Sequence, residues 1–342
     1  MLVLLGVVVL VLIMFQGFGD PARMIAGQTG DKKTMDNIRS DLYLDQPKWK
    51  QFILYVNDVS PLCVHSRADI EKKQLKGIFI GGNTNPDSYR GGIKIPYLRK
   101  SYQTKKEVGK VLMEALPGTL ILAIAAMLFA TIIGILLGVT AAVKKGTWMD
   151  TTAVFSSIAG ISAPSFFMAI IIAYFFGVVL HAYTGLNLTG SWFDIDEVTG
   201  EKYLSLKNLI LPAFTLGIRP LAIITQLTRS AMLDVLSQDY IRTAYAKGLG
   251  KNAIIYKHAL RNALNPVITA ITGWFAELLA GAFFVEYIFG WKGIGKITVD
   301  ALEKLDYPVV MGSVLLSACI FIIINLFADI LYRKVDPRIK SL

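Results

Sequence analysis

The stretch Asp239-Tyr-Ile-Arg-Thr-Ala-Tyr-Ala-Lys-Gly-Leu-Gly-Lys-Asn-Ala-Ile-Ile-Tyr-Lys-His-Ala-Leu-Arg-Asn-Ala-Leu-Asn-Pro266 decides how this chain is read. It is basic and helix-prone, and it lies between two apolar runs. Asp234 to Ala246 is rich in strong helix formers, with Ser237 placed as a cap. Gly248 and Gly250 then give a turn where a Cβ would hinder close backbone approach. Lys251 to Leu264 resumes helical composition until Pro266, where a helix is expected to stop. The small residues Thr243, Ala244, Ala246 and Gly248 leave a shallow surface that fits a groove. Topology alone needs only a few charges in such a loop, not two regular helices. The segment therefore reads as a docking element.

The rest of the chain agrees with a membrane setting. Of its 342 residues 54% are hydrophobic and 18% are charged, against about 25% charged in a soluble domain. Apolar runs occupy roughly 1–18, 113–143, 151–180, 208–232, 264–288 and 309–332. At about 1.5 Å per residue each can cross a hydrocarbon core of about 30 Å. The expected fold is all-α, a polytopic bundle of six transmembrane helices. The first run is longer than a signal-peptide core and no basic residue precedes it, so it reads as a retained anchor.

The formal net charge of +10 sits in the loops. Lys144 and Lys145 mark one loop, and Arg229, Arg242, Lys247, Lys251, Lys257 and Arg261 another; Arg333, Lys334, Arg338 and Lys340 mark the tail. The loop holding Asp194, Asp196, Glu197 and Glu201 is acidic. The positive-inside rule then puts both termini and the loop 233–263 in the cytoplasm. No nucleic-acid-binding motif accompanies the charge. The organisation expected is an anchor at 1–18, an extracytoplasmic loop at 19–108, a core of five spans at 109–335 and a tail at 336–342. Within the external loop, Trp49 to Tyr55 reads as an amphipathic helix and Gly77 to Gly92 as turns or short strands. Cys63 and Cys319 fall too far apart in the topology for a disulfide, and the three histidines lack metal-ligand spacing.

A family resemblance rests on these residues. Permeases of ATP-binding-cassette importers share a cytoplasmic pattern of Glu-Ala-Ala, three residues, Gly, nine residues, Ile-x-Leu-Pro. Aligned on Gly248, this chain has Arg242-Thr-Ala244 and His258-Ala-Leu-Arg261, without the Glu and the Pro. That variant resembles the peptide/nickel subfamily, whose pattern Asp-Tyr-x-Arg-Thr-Ala-x-Ala-Lys-Gly-Leu, then His-Ala-Leu-Arg-Asn-Ala-Leu-x-Pro, is matched from Asp239 to Pro266. Gly19-Asp-Pro-Ala22, Asp45-Gln-Pro-Lys-Trp49, Leu116-Pro-Gly-Thr-Leu120, Ser162-Ala-Pro-Ser-Phe166, Leu227-Thr-Arg-Ser230, Phe289-Gly-Trp-Lys-Gly-Ile-Gly295, Asp306-Tyr-Pro-Val-Val310 and Asp336-Pro-Arg-Ile339 are similar to the B-type subunit of dipeptide and oligopeptide importers. The stretch 59–92 has no counterpart in the pattern and reads as an insertion.

The resemblance implies a heteromeric importer. A second, homologous permease pairs with this chain. Two cytoplasmic ATPases carry ATP and magnesium and each receives a coupling helix, and an extracytoplasmic binding protein delivers peptide. The chain itself binds no cofactor and is not an enzyme. Its coupling residues are Asp239, Tyr240, Arg242, Thr243, Ala244, Ala246, Lys247, Gly248 and His258.

Gly290-Trp-Lys-Gly-Ile-Gly-Lys296 fits the first seven positions of a phosphate-binding loop, but Ile297 stands where Ser or Thr is needed and no strand precedes it. Gly290, Trp291, Gly293 and Gly295 read instead as a tight external re-entry, a candidate gate, and the neighbouring Glu286 as solvated near the outer surface. Arg219 and Glu277 are intramembrane charges at similar depth, which cost about 3 kcal/mol or more unless they meet a partner or water. Either they pair, or they line a pathway. Ser162 and the kink at Pro164 are further pathway candidates, as is Asn325, which with Asp329 is placed to hydrogen-bond across helices.

Other readings are a nickel–chelate or other small-solute carrier of the same class, a stand-alone secondary transporter or channel, and an intramembrane enzyme. The second leaves the 239–266 segment unexplained. The third lacks a nucleophile–base or metal motif.

Overall fold

The computed structural model describes residues 6–11, 13, 35–36, 39–40, 43–81, 85–195 and 200–335. The motifs at 19–22 and 336–339 lie outside the described residues. In chain order the elements are α1 (Lys48–Val59), β1 (Leu62–Ser66), α2 (Arg67–Lys73), β2 (Gly77–Ile80), β3 (Tyr89–Lys94), α3 (Val108–Val143), α4 (Trp148–Ser162) and α5 (Ser165–Tyr174). A π-type turn (Phe175–Val179) and a short α6 (His181–Thr184) precede the hairpin β4 (Phe193–Ile195) and β5 (Lys202–Leu204). Then come α7 (Lys207–Leu236), α8 (Asp239–Ala246), a π-type stretch (Ala253–Ala259), α9 (Leu260–Gly281), α10 (Phe283–Ile288), α11 (Ile294–Glu303) and α12 (Tyr307–Val335). The chain divides into two compact units: Met1–Glu114 with Asp300–Ala318, and Ala115–Val299 with Cys319–Leu342.

In the first unit the expected amphipathic helix is α1. Tyr55 on its buried side packs with Val8, Val11, Tyr307 and Met311. Asp306 precedes α12 and turns its carboxylate to the loop before α3, accepting from the Ser101 hydroxyl and the Tyr102 backbone N–H. The stretch expected as turns or short strands forms β2 and β3, and β1 completes an antiparallel sheet in the order β1-β3-β2.

That sheet is inverted relative to the usual rule. Strand alternation sends residues i and i+2 to one face, and the register pairs Leu62 and Ile78 with Ile93, and Val64 and Ile80 with Gly91. The face so formed carries Leu62, Val64, Ile78, Ile80, Tyr89 and Ile93, all exposed, with Ile78 and Ile80 at 74% and 76%. The opposite face buries Cys63, His65 and Lys94. Beneath it Asp58, 1% exposed, takes Lys73 at 2.7 Å and the Tyr43 hydroxyl at 3.1 Å. The Lys94 ammonium donates to the Asp58 carbonyl.

His65 in this layer is held below its ordinary titration range, first by burial and then by the Lys73 charge, with Lys94 adding to that and Asp58 and Asp69 opposing. A folded-state pKa below the unfolded one means the unfolded chain binds the proton more readily. The sheet is therefore expected to keep its full stability above about pH 6.5, the unfolded histidine value. Stability should fall as pH drops below it. Hydrogen exchange of the β1 and β3 amides at pH 7.5 and 5.5 checks this, and His65→Gln should remove most of the difference.

The second unit is a helix bundle. Its core gathers Leu122, Ala126 and Ala130 of α3, Ile172 of α5, Leu216 and Ile224 of α7 and Val267 of α9. Gly138 lets α3 approach α7 closely, because a Cβ there would stand 2.6 Å from the Thr228 Cβ. Among the described residues three helices, Val108–Val143, Lys207–Leu236 and Tyr307–Ile330, are long and apolar enough to cross a membrane. Trp148–Ser162 with Ser165–Val179 makes a fourth when the pair is taken as one span. The expected first span falls largely outside the described residues, and the fifth corresponds to α9 and α10, broken at Ala282.

The third span is no simple kinked helix. Its halves meet at 107°. Ala163, before the proline, is extended at ψ 131°, and Pro164 at φ −59°, ψ 137° begins the new direction. The strands of the first unit and the β4–β5 hairpin add small sheets to an otherwise helical fold.

Candidate functional site

Three places in the second unit carry the candidate residues. The first is α8. Ile241 and Ala244 are its buried positions, seated on Met232, Ile254, Ile255, Ala259 and Ala263. Tyr240, Arg242, Thr243, Ala246 and Lys247 face outward. Ser237 does not cap this helix: its hydroxyl donates to the Asp234 carbonyl and closes the end of α7, and Gln238 is the extended N-cap residue. Asp239 and Arg242 approach at 3.5 Å on the open surface, a contact of little energetic weight. Asn262 donates to the Tyr240 hydroxyl at 2.8 Å, tying α8 to α9. Gly248 ends the segment at φ +75° with nothing near its absent Cβ. His258 lies half-buried in the π-type stretch.

Pro266 does not end a helix; α9 runs through it. Asn262 and Pro266 are both exposed, so the carbonyl that the proline frees meets the outside of the chain rather than a packed neighbour. Nearby, Arg229 grips Asp150 with both Nε and Nη2, at 2.5 and 2.9 Å, and the Gly146 N–H completes the carboxylate. Arg229 is thus a tie between α7 and α4 as well as a topology charge.

The second place is a cavity of about 150 Å³ whose wall includes Ala163 and Ser165 at the broken span, Thr215 and Arg219 of α7, and Trp274 and Glu277 of α9. It brings together the two intramembrane charges but does not pair them. Both are exposed, and no ion pair joins them within 4.0 Å among the described residues. Arg219 instead lies over the Trp274 ring at 5.4 Å. Ser162 donates back to Ile158 at 2.8 Å, and the Asn325 amide donates to Phe321 of its own helix at 2.9 Å rather than across helices.

The third place is the Walker-like loop. Glu286, expected to be solvated, is fully buried. The Thr119 hydroxyl donates to its Oε1 at 2.7 Å, and the Gly295 and Lys296 N–H groups donate to Oε2 at 2.7 and 3.2 Å. The Ile294 N–H donates to the Thr119 hydroxyl, and the buried Trp291 indole donates to the Gly118 carbonyl at 2.9 Å. The glycines make this possible: a Cβ on Gly293 would stand 2.3 Å from Glu286 Oε2, and one on Gly295 would stand 2.8 Å away. The loop does cradle an oxygen acceptor at a helix N-terminus, as its resemblance to a phosphate loop suggests. The acceptor is the chain's own Glu286 side chain.

Residues 134–341, more than half of the chain, match the model of the binding-protein-dependent transport system inner membrane component family. The chain belongs to that family. It is 35% identical over 335 residues to the dipeptide transport system permease protein DppB of Alkalihalophilus pseudofirmus, covering 94% of this chain and 90% of that one. It is 44% identical to DppB of Haemophilus influenzae, over 70% and 76% of the two chains. It is 33% identical to the glutathione transport system permease protein GsiC of Escherichia coli, over 94% and 89%. Among solved structures, a chain of the MetNI methionine transporter in an inward-facing conformation matches with a TM-score of 0.52 at 18% identity, covering 66% of this chain and 96% of that one, which speaks to fold alone.

Membership makes this chain the membrane permease of a transport system, a non-catalytic component. The permease fold places α8 as a separate amphipathic helix on its own small core, and places the two unpaired charges at the broken span. Of these features the sequence missed the Glu286 cradle. A signal existed: a glutamate four residues before a Gly-x-x-Gly-x-Gly run, beside Thr119 in the Leu-Pro-Gly-Thr motif.

Proposed function

We propose that this permease forms one half of the translocation pathway of an ATP-driven importer of di- and oligopeptides in a bacterial cytoplasmic membrane. Its two termini and α8 face the cytoplasm. A second, homologous permease supplies the other half. Two ATPase subunits bind ATP and magnesium, and a groove on one of them receives α8. An extracytoplasmic peptide-binding protein delivers the cargo.

The observation that carries this reading is α8. It buries only Ile241 and Ala244 and offers its remaining face outward, as a lever for a partner must. The phosphate-like loop at Gly290–Lys296 is filled by Glu286, so in this reading nucleotide binds on the ATPases. The names of the full-length relatives support peptide cargo, glutathione itself being a tripeptide. Nucleotide closure of the ATPases moves α8, and the two-state pathway alternates by differential affinity.

Affinity purification of the tagged permease from native membranes, followed by peptide uptake into liposomes holding the recovered complex, tests the reading. Co-purifying ATPases and ATP-dependent dipeptide uptake are expected. A lone chain that transports without ATPases overturns it.

A further inference from the structure

The Arg219–Glu277 cavity holds two opposite charges that are exposed, share one wall and are not joined to each other. An ionisable side chain within a span is costly and normally faces water or a partner. Two such groups of opposite sign would most simply cancel in an ion pair. Here neither carries an ion pair or hydrogen bond among the described residues. Arg219 is braced on the Trp274 ring instead. Glu277 follows Trp274 by three residues on α9, so one helical turn sets it on the same face.

We propose that this cavity is a transient subsite for the free termini of a passing peptide. It rests on the peptide-import reading above. Arg219 takes the α-carboxylate through its planar fork, and Glu277 takes the α-ammonium. Two or three extended residues span at most about 7 to 11 Å, which suits charges held apart rather than locked together. Ser165, exposed in the wall, supplies a hydroxyl for the peptide backbone. Ala163 and Ser165 flank the Pro164 break, so the hinge of the third span and the subsite share a boundary. A change in that angle alters the cavity, which gives the transporter a way to release what it holds. The binding is weak by construction, since each charge remains partly solvated.

The test uses the complete transporter in proteoliposomes, with a free dipeptide, its C-amidated form and its N-acetylated form. Uptake is compared at equal occupancy of the binding protein, measured separately for each peptide. The wild type should favour the free peptide over both blocked forms. Arg219→Gln should lower free-peptide uptake about tenfold, the loss of one charge-assisted contact, and abolish the preference against the C-amidated form alone. Glu277→Gln should abolish the preference against the N-acetylated form alone. Arg219→Lys and Glu277→Asp should retain both. Recovery of the second permease and the ATPases in wild-type proportion with each purified variant reports correct assembly. If free and blocked peptides suffer equally in the variants, or if the complex fails to assemble even with the conservative pair, the charges are structural and the subsite is overturned. A wild-type complex that takes up no di- or tripeptide overturns the import reading itself.

Discussion

Glu286→Ala is expected to prevent the permease from accumulating in the membrane, although Glu286 touches no proposed ligand. Removing the carboxylate takes the acceptor from the Thr119 hydroxyl and the Gly295 N–H at a fully buried position. Each orphaned donor costs about 1–3 kcal/mol, and the side chain's volume is lost as well. The sum, on the order of 3–5 kcal/mol, is a large share of the about 5–15 kcal/mol that holds a typical domain. Membrane levels by immunoblot should fall at least about tenfold, a conversion of at least 1.4 kcal/mol. The purified remainder should melt earlier. Glu286→Gln should be milder, because its carbonyl oxygen can still accept while its NH₂ confronts other donors. Gly293→Ala should resemble Glu286→Ala: the added methyl would stand 2.3 to 2.5 Å from all three atoms of the carboxyl group, which the cradle leaves no room to shift. Normal levels of both Glu286→Ala and Gly293→Ala would show that the loop is loose, as a moving gate requires.

The same loop shows where sequence reading stops. Its glycines mark a tight structure, and the absent Ser or Thr after Lys296 argues against phosphate. What fills the loop is not visible locally, because Thr119 stands 167 residues from Glu286 in sequence. Long-range polar partners carry no periodicity. The Arg219–Glu277 relation is a similar case. Depth along two helices puts them at one level, but only packing decides whether they meet, and Arg219 lies over Trp274 rather than against Glu277.

Local features were more legible. The two-helix segment after Leu236, the helix at Trp49 and the strands within 77–92 follow from composition and turn residues. Their ends were less so. Ser237 has the chemistry of an N-cap and is used at the end of the preceding helix. Pro266 has the chemistry of a stop and is absorbed, because it sits on the exposed side of α9. The inverted sheet was hidden for a different reason. Alternation in Leu62–Ser66 is plain, yet the usual rule assigns its apolar side to the core. Asp58, Lys73 and Lys94 instead hold the polar side inward.

Gly248→Glu is expected to leave the permease folded and abolish coupled transport, the largest functional loss in the chain. Gly248 adopts φ +75°, a region that costs an ordinary L-residue about 1–2 kcal/mol. Nothing lies within 4 Å of the added Cβ, and the residue is exposed, so no core contact is lost. The cost falls on a turn already held by the Gly248 N–H to Tyr245 and the Leu249 N–H to Ala244. The core of Ile241, Ala244, Ile254 and Ala259 beneath it is untouched. What changes is the outer face: a long, charged side chain at the tip of the helix proposed to enter an ATPase groove. A buried unpaired charge at an interface costs about 3–5 kcal/mol, so ATP-driven uptake should fall by at least about a hundredfold, and ATPases should be lost on purification. Gly248→Ala separates the two causes. It carries the backbone strain without the bulk or charge, and should keep most transport with a slightly lower melting temperature. Full transport by Gly248→Glu would remove this turn from the docking surface. A Gly248→Ala variant as inactive as Gly248→Glu would show instead that the left-handed turn, not the open face beside it, sets the lever's position.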